Sequence, residues 1–152
     1  MPELPQNHPS EQDFIDCTKF HDNRTQIVLK ENRSEYQAKN ADKKKVQVCK
    51  VDGCLLDTDE LQKCDYLLLV DGSARFIELK GCDIGTAIEQ LIATVNILMP
   101  GLQKNYPTAY SIIVSTRTPK IINQKKWEAL KKLMKRYNGD AFKSNSPFID
   151  HI

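Results

Sequence analysis

Two acidic residues and a lysine lie where the chain is predicted to turn back on itself. Asp65 opens one apolar run, and Glu78 and Lys80 lie in the next run along the chain. The intervening Asp71-Gly72 pair is typical of a two-residue hairpin turn. The register of such a hairpin places Asp65 opposite Glu78. Lys80 shares the face of Glu78, because side chains two residues apart on a strand point the same way.

The predicted pair of carboxylates beside a lysine has a defined chemistry. Two carboxylates a few ångströms apart repel each other unless a cation neutralises them. Mg²⁺, or Mn²⁺, suits such oxygen ligands and retains waters for chemistry. Lys80 could orient or deprotonate a water that attacks a phosphodiester, or stabilise the charge that develops. The residues therefore predict metal-dependent phosphodiester hydrolysis, and the alternative is an ordinary solvent-facing pair of Glu78 and Lys80.

Seven elements are predicted to position this cluster, in the order α-β-β-β-α-β-α. Three strands joined by short connections form an antiparallel meander. A helix that begins after Asp83 and ends at Pro100-Gly101 then crosses over to a fourth strand, which must lie parallel to its neighbour. The fold class is therefore α/β with a mixed four-stranded sheet flanked by helices. The predicted segments are a short helix at 31–40, strands at 46–51, 65–70, 75–80 and 109–115, and helices at 83–100 and 123–137.

This pattern resembles the PD-(D/E)xK, or restriction-endonuclease-like, nuclease superfamily. Cys64-Asp65, then Glu78-Leu79-Lys80 on the next strand and an amphipathic helix after it, carry the resemblance, which covers roughly residues 31–116. It implies a mixed sheet with helices on both sides and Mg²⁺-dependent cleavage of nucleic acid, DNA in preference to RNA. It also implies that Asp65 and Glu78 bind the metal, that the Leu79 carbonyl is a further ligand, and that Lys80 is the catalytic lysine.

The resemblance implies two further site residues. Many members add an acid from the first helix, for which Glu35 is the first choice and Glu31 the second. Many also carry a polar residue on the helix after the triplet, and Gln90 matches that place. The proline that often precedes the aspartate is Cys64 here. Some relatives keep the fold without catalysis, so a non-catalytic interaction module or complex subunit is the alternative function.

A second candidate feature is the basic segment near the end of the chain, 120–136, which holds seven basic residues and one acid. Three of the basic residues fall on one face of the predicted helix, namely Lys125, Lys132 and Arg136. An apolar face beside them faces the core, so the charged face could follow a phosphate backbone. The alternatives are a solvated helix face, or a surface for RNA or an acidic protein. A lone nuclease core also predicts a homodimer or a larger complex.

The composition favours one domain over residues 1–152. The chain has 40% hydrophobic and 28% charged residues and a net charge of +2. No apolar run approaches the ~20 residues of a membrane span, and no secretory leader is evident, so a cytoplasmic location is predicted. Residues 1–22 are predicted to be a flexible arm and 138–152 an irregular tail. The five cysteines lack zinc spacing and are interpreted as thiols.

Overall fold

The computed structural model describes residues 8–31, 33–57, 63–80, 83–116 and 123–152, with the side chain of Lys80 excepted. Three helices and nine strands lie in these ranges. The helices are α1 (Glu11–Asp16), α2 (Ile84–Leu102) and α3 (Gln124–Arg136). The strands are β1 (Thr18–Asp22), β2 (Gln26–Glu31), β3 (Ser34–Lys39), β4 (Val46–Lys50), β5 (Tyr66–Val70), β6 (Ser73–Lys80), β7 (Thr108–Ser115), β8 (Ala141–Asn145) and β9 (Phe148–His151). No helix among these residues is both long and apolar enough to cross a membrane.

The main sheet has six strands in the order β1-β4-β5-β6-β7-β8. The predicted meander β4-β5-β6 is confirmed, with Tyr66 opposite Ile77. The predicted parallel pairing of β6 with β7, reached through the crossover helix α2, is also confirmed. The turn between β5 and β6 holds Asp71 at φ +47° and Gly72 at φ +72°. Both residues have the left-handed backbone conformation, with positive φ, that a type I′ hairpin turn of two residues requires.

A second sheet, in the order β2-β3-β9, covers one face of the main sheet, and α2 and α3 cover the other. The prediction of helices on both sides of the main sheet is therefore wrong for the described residues. The predicted helix at 31–40 is also wrong, since this segment contains the end of β2 and all of β3. Every second side chain of β3 is buried, including Tyr36 and Ala38. That period of two is typical of a strand and not of a helix.

Both ends of the chain are more regular than predicted. Residues 11–22 of the predicted flexible arm form α1 and the edge strand β1, which pairs with β4. The predicted irregular tail forms β8, which extends the main sheet, and β9, which completes the second sheet. The predicted four-stranded sheet is therefore too small. The more buried positions of β1 and β9 are only partly covered and hold polar as well as apolar residues, so the sequence does not alternate clearly there.

Helix α2 begins as predicted, with the Asp83 carboxylate accepting a hydrogen bond from the Thr86 N–H at 3.0 Å. The sequence predicts that α2 ends at Pro100-Gly101, but the helix continues to Leu102. The missing N–H of Pro100 removes one hydrogen bond, but Met99 and Leu102 are buried against the core and carry the last turn. Helix α3 lies where the sequence predicts it.

The cysteines are not all thiols. Cys17 and Cys54 form a disulfide that joins the start of β1 to the turn after β4. Cys49 and Cys64 are buried thiols, as predicted. Cys82 lies outside the described residues.

Candidate functional site

Asp65 lies directly before β5 and is fixed to β6 by its backbone and its side chain. Its N–H donates to the Ile77 carbonyl at 3.1 Å. Its carboxylate oxygen Oδ2 accepts a hydrogen bond from the Leu79 N–H at 2.8 Å. The Asp65 side chain thus extends the hydrogen bonding between β5 and β6 by one position beyond the Tyr66–Ile77 pair. The hairpin register predicted from Asp71-Gly72 is confirmed, and it brings Asp65 beside Glu78.

Asp65 and Glu78 form a buried pair of carboxyl groups. Glu78 is 1% exposed and Asp65 is 9% exposed. Burial, the charge of Glu78 and a hydrogen bond with Glu31 together raise the pKa of Asp65 to about 9. Without a cation, Asp65 therefore holds a proton near neutral pH. A bound cation would lower the pKa of Asp65 and displace that proton, because its positive charge would neutralise the buried carboxylate.

Glu31 is the third acid of this group, and it comes from the second sheet. It is the last residue of β2 and lies on the inward face that also carries Leu29. Its carboxylate is 3.0 Å from the Lys50 ammonium. Burial alone would raise the pKa of Glu31, but the hydrogen bond from Asp65 and the charge of Lys50 hold it below its usual value.

Glu35, the first choice for the additional acid, is not part of this group. It lies on the outward face of β3, where its carboxylate is 3.1 Å from the Lys30 ammonium. The segment is a hairpin of strands, in which Glu31 and Glu35 occupy different strands and opposite faces, so only one of them can face Asp65. The second choice, Glu31, is the one that reaches Asp65.

Glu31 is surrounded by Lys19, Lys50 and Tyr66, none of which was a predicted site residue. The Lys50 ammonium lies 4.8 Å from the centre of the Tyr66 ring, and the Lys19 ammonium lies 5.2 Å from it. Lys50 is directly opposite Tyr66 in the β4-β5 pairing. The meander predicted from the sequence places Lys50 at this end of the sheet and could have identified it. Lys19 could not be identified, because β1 was interpreted as part of a flexible arm.

Helix α2 holds the segment that leads to Asp65. The Gln90 amide donates to the Lys63 carbonyl at 3.0 Å, and the Cys64 N–H donates to the Thr94 hydroxyl at 3.0 Å. Gln90 therefore lies beside the predicted site, and its contact is with the chain before Asp65. Its buried Oε1 accepts no hydrogen bond from any residue that the structure describes.

The predicted role of Lys80 depends on a side chain outside the described part of the chain. The backbone of Lys80 pairs with Ser115 of β7, at the carboxyl end of the two parallel strands. Leu79, whose carbonyl is the further predicted ligand, contributes its N–H to Asp65 as described above. The triplet Glu78-Leu79-Lys80 thus lies on the strand end that the sequence predicts.

The donor set fits a divalent ion in part. Mg²⁺ in proteins is often held by one or two carboxylates, with waters and substrate phosphates completing the shell. Asp65 and Glu78 supply two such carboxylates, and the proton on Asp65 marks where positive charge is needed. Across the five described ranges, no three His, Cys, Asp or Glu side chains are placed to hold an ion together. An ion here would therefore need ligands beyond the protein carboxylates.

The basic face of α3 is exposed, as the sequence predicts. Lys125, Lys132 and Arg136 point to solvent, while Trp127 and Met134 are buried. Helix α3 follows the carboxyl end of β7, the end that also carries Lys80. Lys125 lies in the first turn of α3, and Arg136 lies in its last turn.

Comparisons of this chain with models of known protein families, with curated proteins and with solved structures find no match. The PD-(D/E)xK pattern therefore stays a resemblance of residues and elements.

Proposed function

We propose that this protein is a metal-dependent nuclease with a restriction-endonuclease-like fold, acting on DNA in preference to RNA. The observation that carries the proposal is the buried pair of Asp65 and Glu78 at the end of the main sheet. Burying two carboxyl groups together costs stability, and such pairs are typical of sites that bind a ligand or carry out a reaction. The mixed sheet and its parallel pair β6-β7 support the proposal at the level of architecture.

In this proposal Asp65 and Glu78 hold the ion, with the Leu79 carbonyl as the further candidate ligand. A divalent ion there would supply Lewis-acid activation of the phosphate and of a water. Glu31 hydrogen-bonds to Asp65 and so orients its carboxyl group. Lys80 is the proposed catalytic lysine. Lys19 and Lys50 give the entrance of the site positive charge that attracts a phosphate backbone.

The direct test is cleavage of end-labelled single-stranded and duplex DNA and RNA with Mg²⁺ or Mn²⁺. We expect wild-type protein to cleave at least one of these substrates. Asp65→Asn, Glu78→Gln and Lys80→Ala should each lower the rate by ~10² or more, the usual effect of losing an acid–base or electrostatic group. Asp42→Asn is the matched control, because Asp42 lies exposed in the turn between β3 and β4.

The second candidate function is a non-catalytic interaction module or complex subunit. It is favoured because the described residues contain no group of three His, Cys, Asp or Glu side chains placed to hold an ion together. The cleavage test separates the two functions. Cleavage that Asp65→Asn leaves intact would place the activity elsewhere, and wild-type protein that cleaves none of the substrates would favour the module.

Two further predictions belong to this proposal. A homodimer or larger complex would let a single core reach both strands of a duplex, and size measurement by light scattering tests it. The Cys17–Cys54 bond counts against the predicted cytoplasmic location, because disulfides are rare in reducing compartments. Alkylation of native protein followed by mass measurement would show whether the purified protein carries that bond.

A further inference from the structure

Two adjoining pockets open near the end of the main sheet that lies opposite Asp65 and Glu78. The ring pocket has a volume of about 270 Å³ and is lined by Arg75, Tyr110, Ile112, Phe142, Phe148 and Asp150. The polar pocket has a volume of about 200 Å³ and shares Arg75 and Tyr110 with it. Lys44, Asp71 and Thr108 are among the other residues of the polar pocket.

Both pockets are separate from the acidic group. Strand β6 begins at Ser73, in the polar pocket, and Glu78 lies five residues further on, roughly 16 Å along the strand. Arg75 also points to the face that carries the second sheet, while Glu78 points to the helix face, because their positions differ by an odd number. A ligand in these pockets would not contact the proposed metal ligands.

The ring pocket presents flat surfaces and a balanced charge. The rings of Tyr110 and Phe142 lie 6.2 Å apart, and the Arg75 guanidinium lies 4.9 Å from the Tyr110 ring. Asp150 neutralises Arg75 at 3.1 Å. The volume of about 270 Å³ is close to the roughly 300 Å³ at which small-molecule sites begin. These properties match one flat, uncharged ring system with polar edges.

The polar pocket has the chemistry of a site for sugar hydroxyls. Thr108 offers a hydroxyl group, and Lys44 and Asp71 form an ion pair at 3.3 Å. Carboxylate and ammonium groups can accept from and donate to a diol at the same time. Both cations of the pocket are paired with acids, Lys44 with Asp71 and Arg75 with Asp150, so little net positive charge remains for a phosphate.

We propose that the two pockets together bind one nucleoside, with the base in the ring pocket and the ribose in the polar pocket. The base would stack on the exposed Phe142 ring, beside the tilted Tyr110 ring. The ribose hydroxyls would meet Thr108 and the Lys44–Asp71 pair. This site is independent of the proposed nuclease activity, because it shares no residue with the acidic group.

The test is titration of the full chain with adenosine, guanosine, cytidine and uridine, followed by amide chemical shifts and calorimetry. We expect at least one nucleoside to bind saturably, with shifts on β7, β8 and β9. Phe142→Ala should weaken that binding about 5-fold or more, the effect of losing one base–aromatic stack. Ile149→Ala is the matched control, since Ile149 is 41% exposed, Phe142 is 42% exposed, and only Phe142 lines the pocket.

Several outcomes decide the proposal. Thr108→Val should weaken the binding of the nucleoside and leave the binding of the free base unchanged. That result would support the polar pocket as the ribose site. A free base that binds as tightly as its nucleoside would overturn that part. Absence of saturable binding for all four nucleosides, or equal binding by Phe142→Ala and wild type, would overturn the proposal as a whole. Glu78→Gln should bind nucleosides like wild type, so failure of the nuclease proposal leaves this one standing.

Discussion

Replacing Asp65 by asparagine should stabilise the protein at neutral and alkaline pH. The pKa of Asp65 is about 9 in the folded protein, against an ordinary value of 3.8. Between these values the folded chain holds a proton that the unfolded chain has lost. Stability therefore falls as the pH rises through this window, by up to about 1.4 kcal/mol for each pH unit.

The magnitude follows from that window. At a pH of about 7.5, the free energy of unfolding is lower by up to about 5 kcal/mol than at a pH below 3.8, because the folded chain keeps a proton that the unfolded chain releases. Asparagine is neutral and has nearly the same shape. Its oxygen can accept from the Leu79 N–H, and its amide can donate to Glu31. Asp65→Asn thus keeps both hydrogen bonds and removes the cost, so its free energy of unfolding should exceed that of wild type.

The assay is urea unfolding in EDTA between about pH 5 and about pH 8, followed by the fluorescence of Trp127. The difference between Asp65→Asn and wild type should grow with pH, by up to about 1.4 kcal/mol per unit. Asp42→Asn, the exposed control, should follow wild type. Parallel stability curves for wild type and Asp65→Asn would refute the reasoning, because the buried carboxyl would then carry no linked proton.

Three other predictions address the acids, the metal and the basic face. Glu31→Gln should lower nuclease activity by ~10-fold or more, because glutamine cannot supply the negative charge beside Asp65. Glu35→Gln should cleave like wild type, and equal cleavage rates for the two variants would contradict the different roles of the two acids. Mg²⁺ or Mn²⁺ should raise the melting temperature of wild type by mass action and leave that of Glu78→Gln unchanged, and identical shifts would place the ion elsewhere. Changing the basic face to glutamine should weaken DNA binding for all sequences alike and flatten the salt dependence by up to roughly 0.9 per lost phosphate contact, as measured by fluorescence anisotropy at several salt concentrations. That triple variant changes Lys125, Lys132 and Arg136.

The hairpin that positions Asp65 and Glu78 could be predicted because its signals are local. The Asp71-Gly72 turn sets the register, and the apolar runs on either side give the strands. The same is true of α2 and α3, whose apolar stripes and N-terminal caps lie within the elements themselves. Each of these elements buries a face that its own sequence pattern shows.

The second sheet could not be predicted from local patterns. Strand β3 pairs with β9, and the partner of Tyr36 is Phe148, more than a hundred residues away. The Tyr36 hydroxyl donates to Asp150 at 2.6 Å, so polar residues stabilise this sheet as well as apolar ones. A short polar segment with few apolar residues does not show which face will be covered. For that reason the sequence did not show that Glu31, and not Glu35, would lie beside Asp65.

The hydrogen bond between Asp65 and Leu79 fixes the direction in which the Asp65 carboxyl group points. The pairing of β6 with β7 holds the Leu79 N–H in place, so the carboxyl group cannot rotate away without breaking this bond. Folding therefore orients the side chain in advance, and binding at Asp65 would cost little further side-chain entropy. The backbone of β6 thus contributes pre-organisation to this end of the sheet, although it contributes no charge.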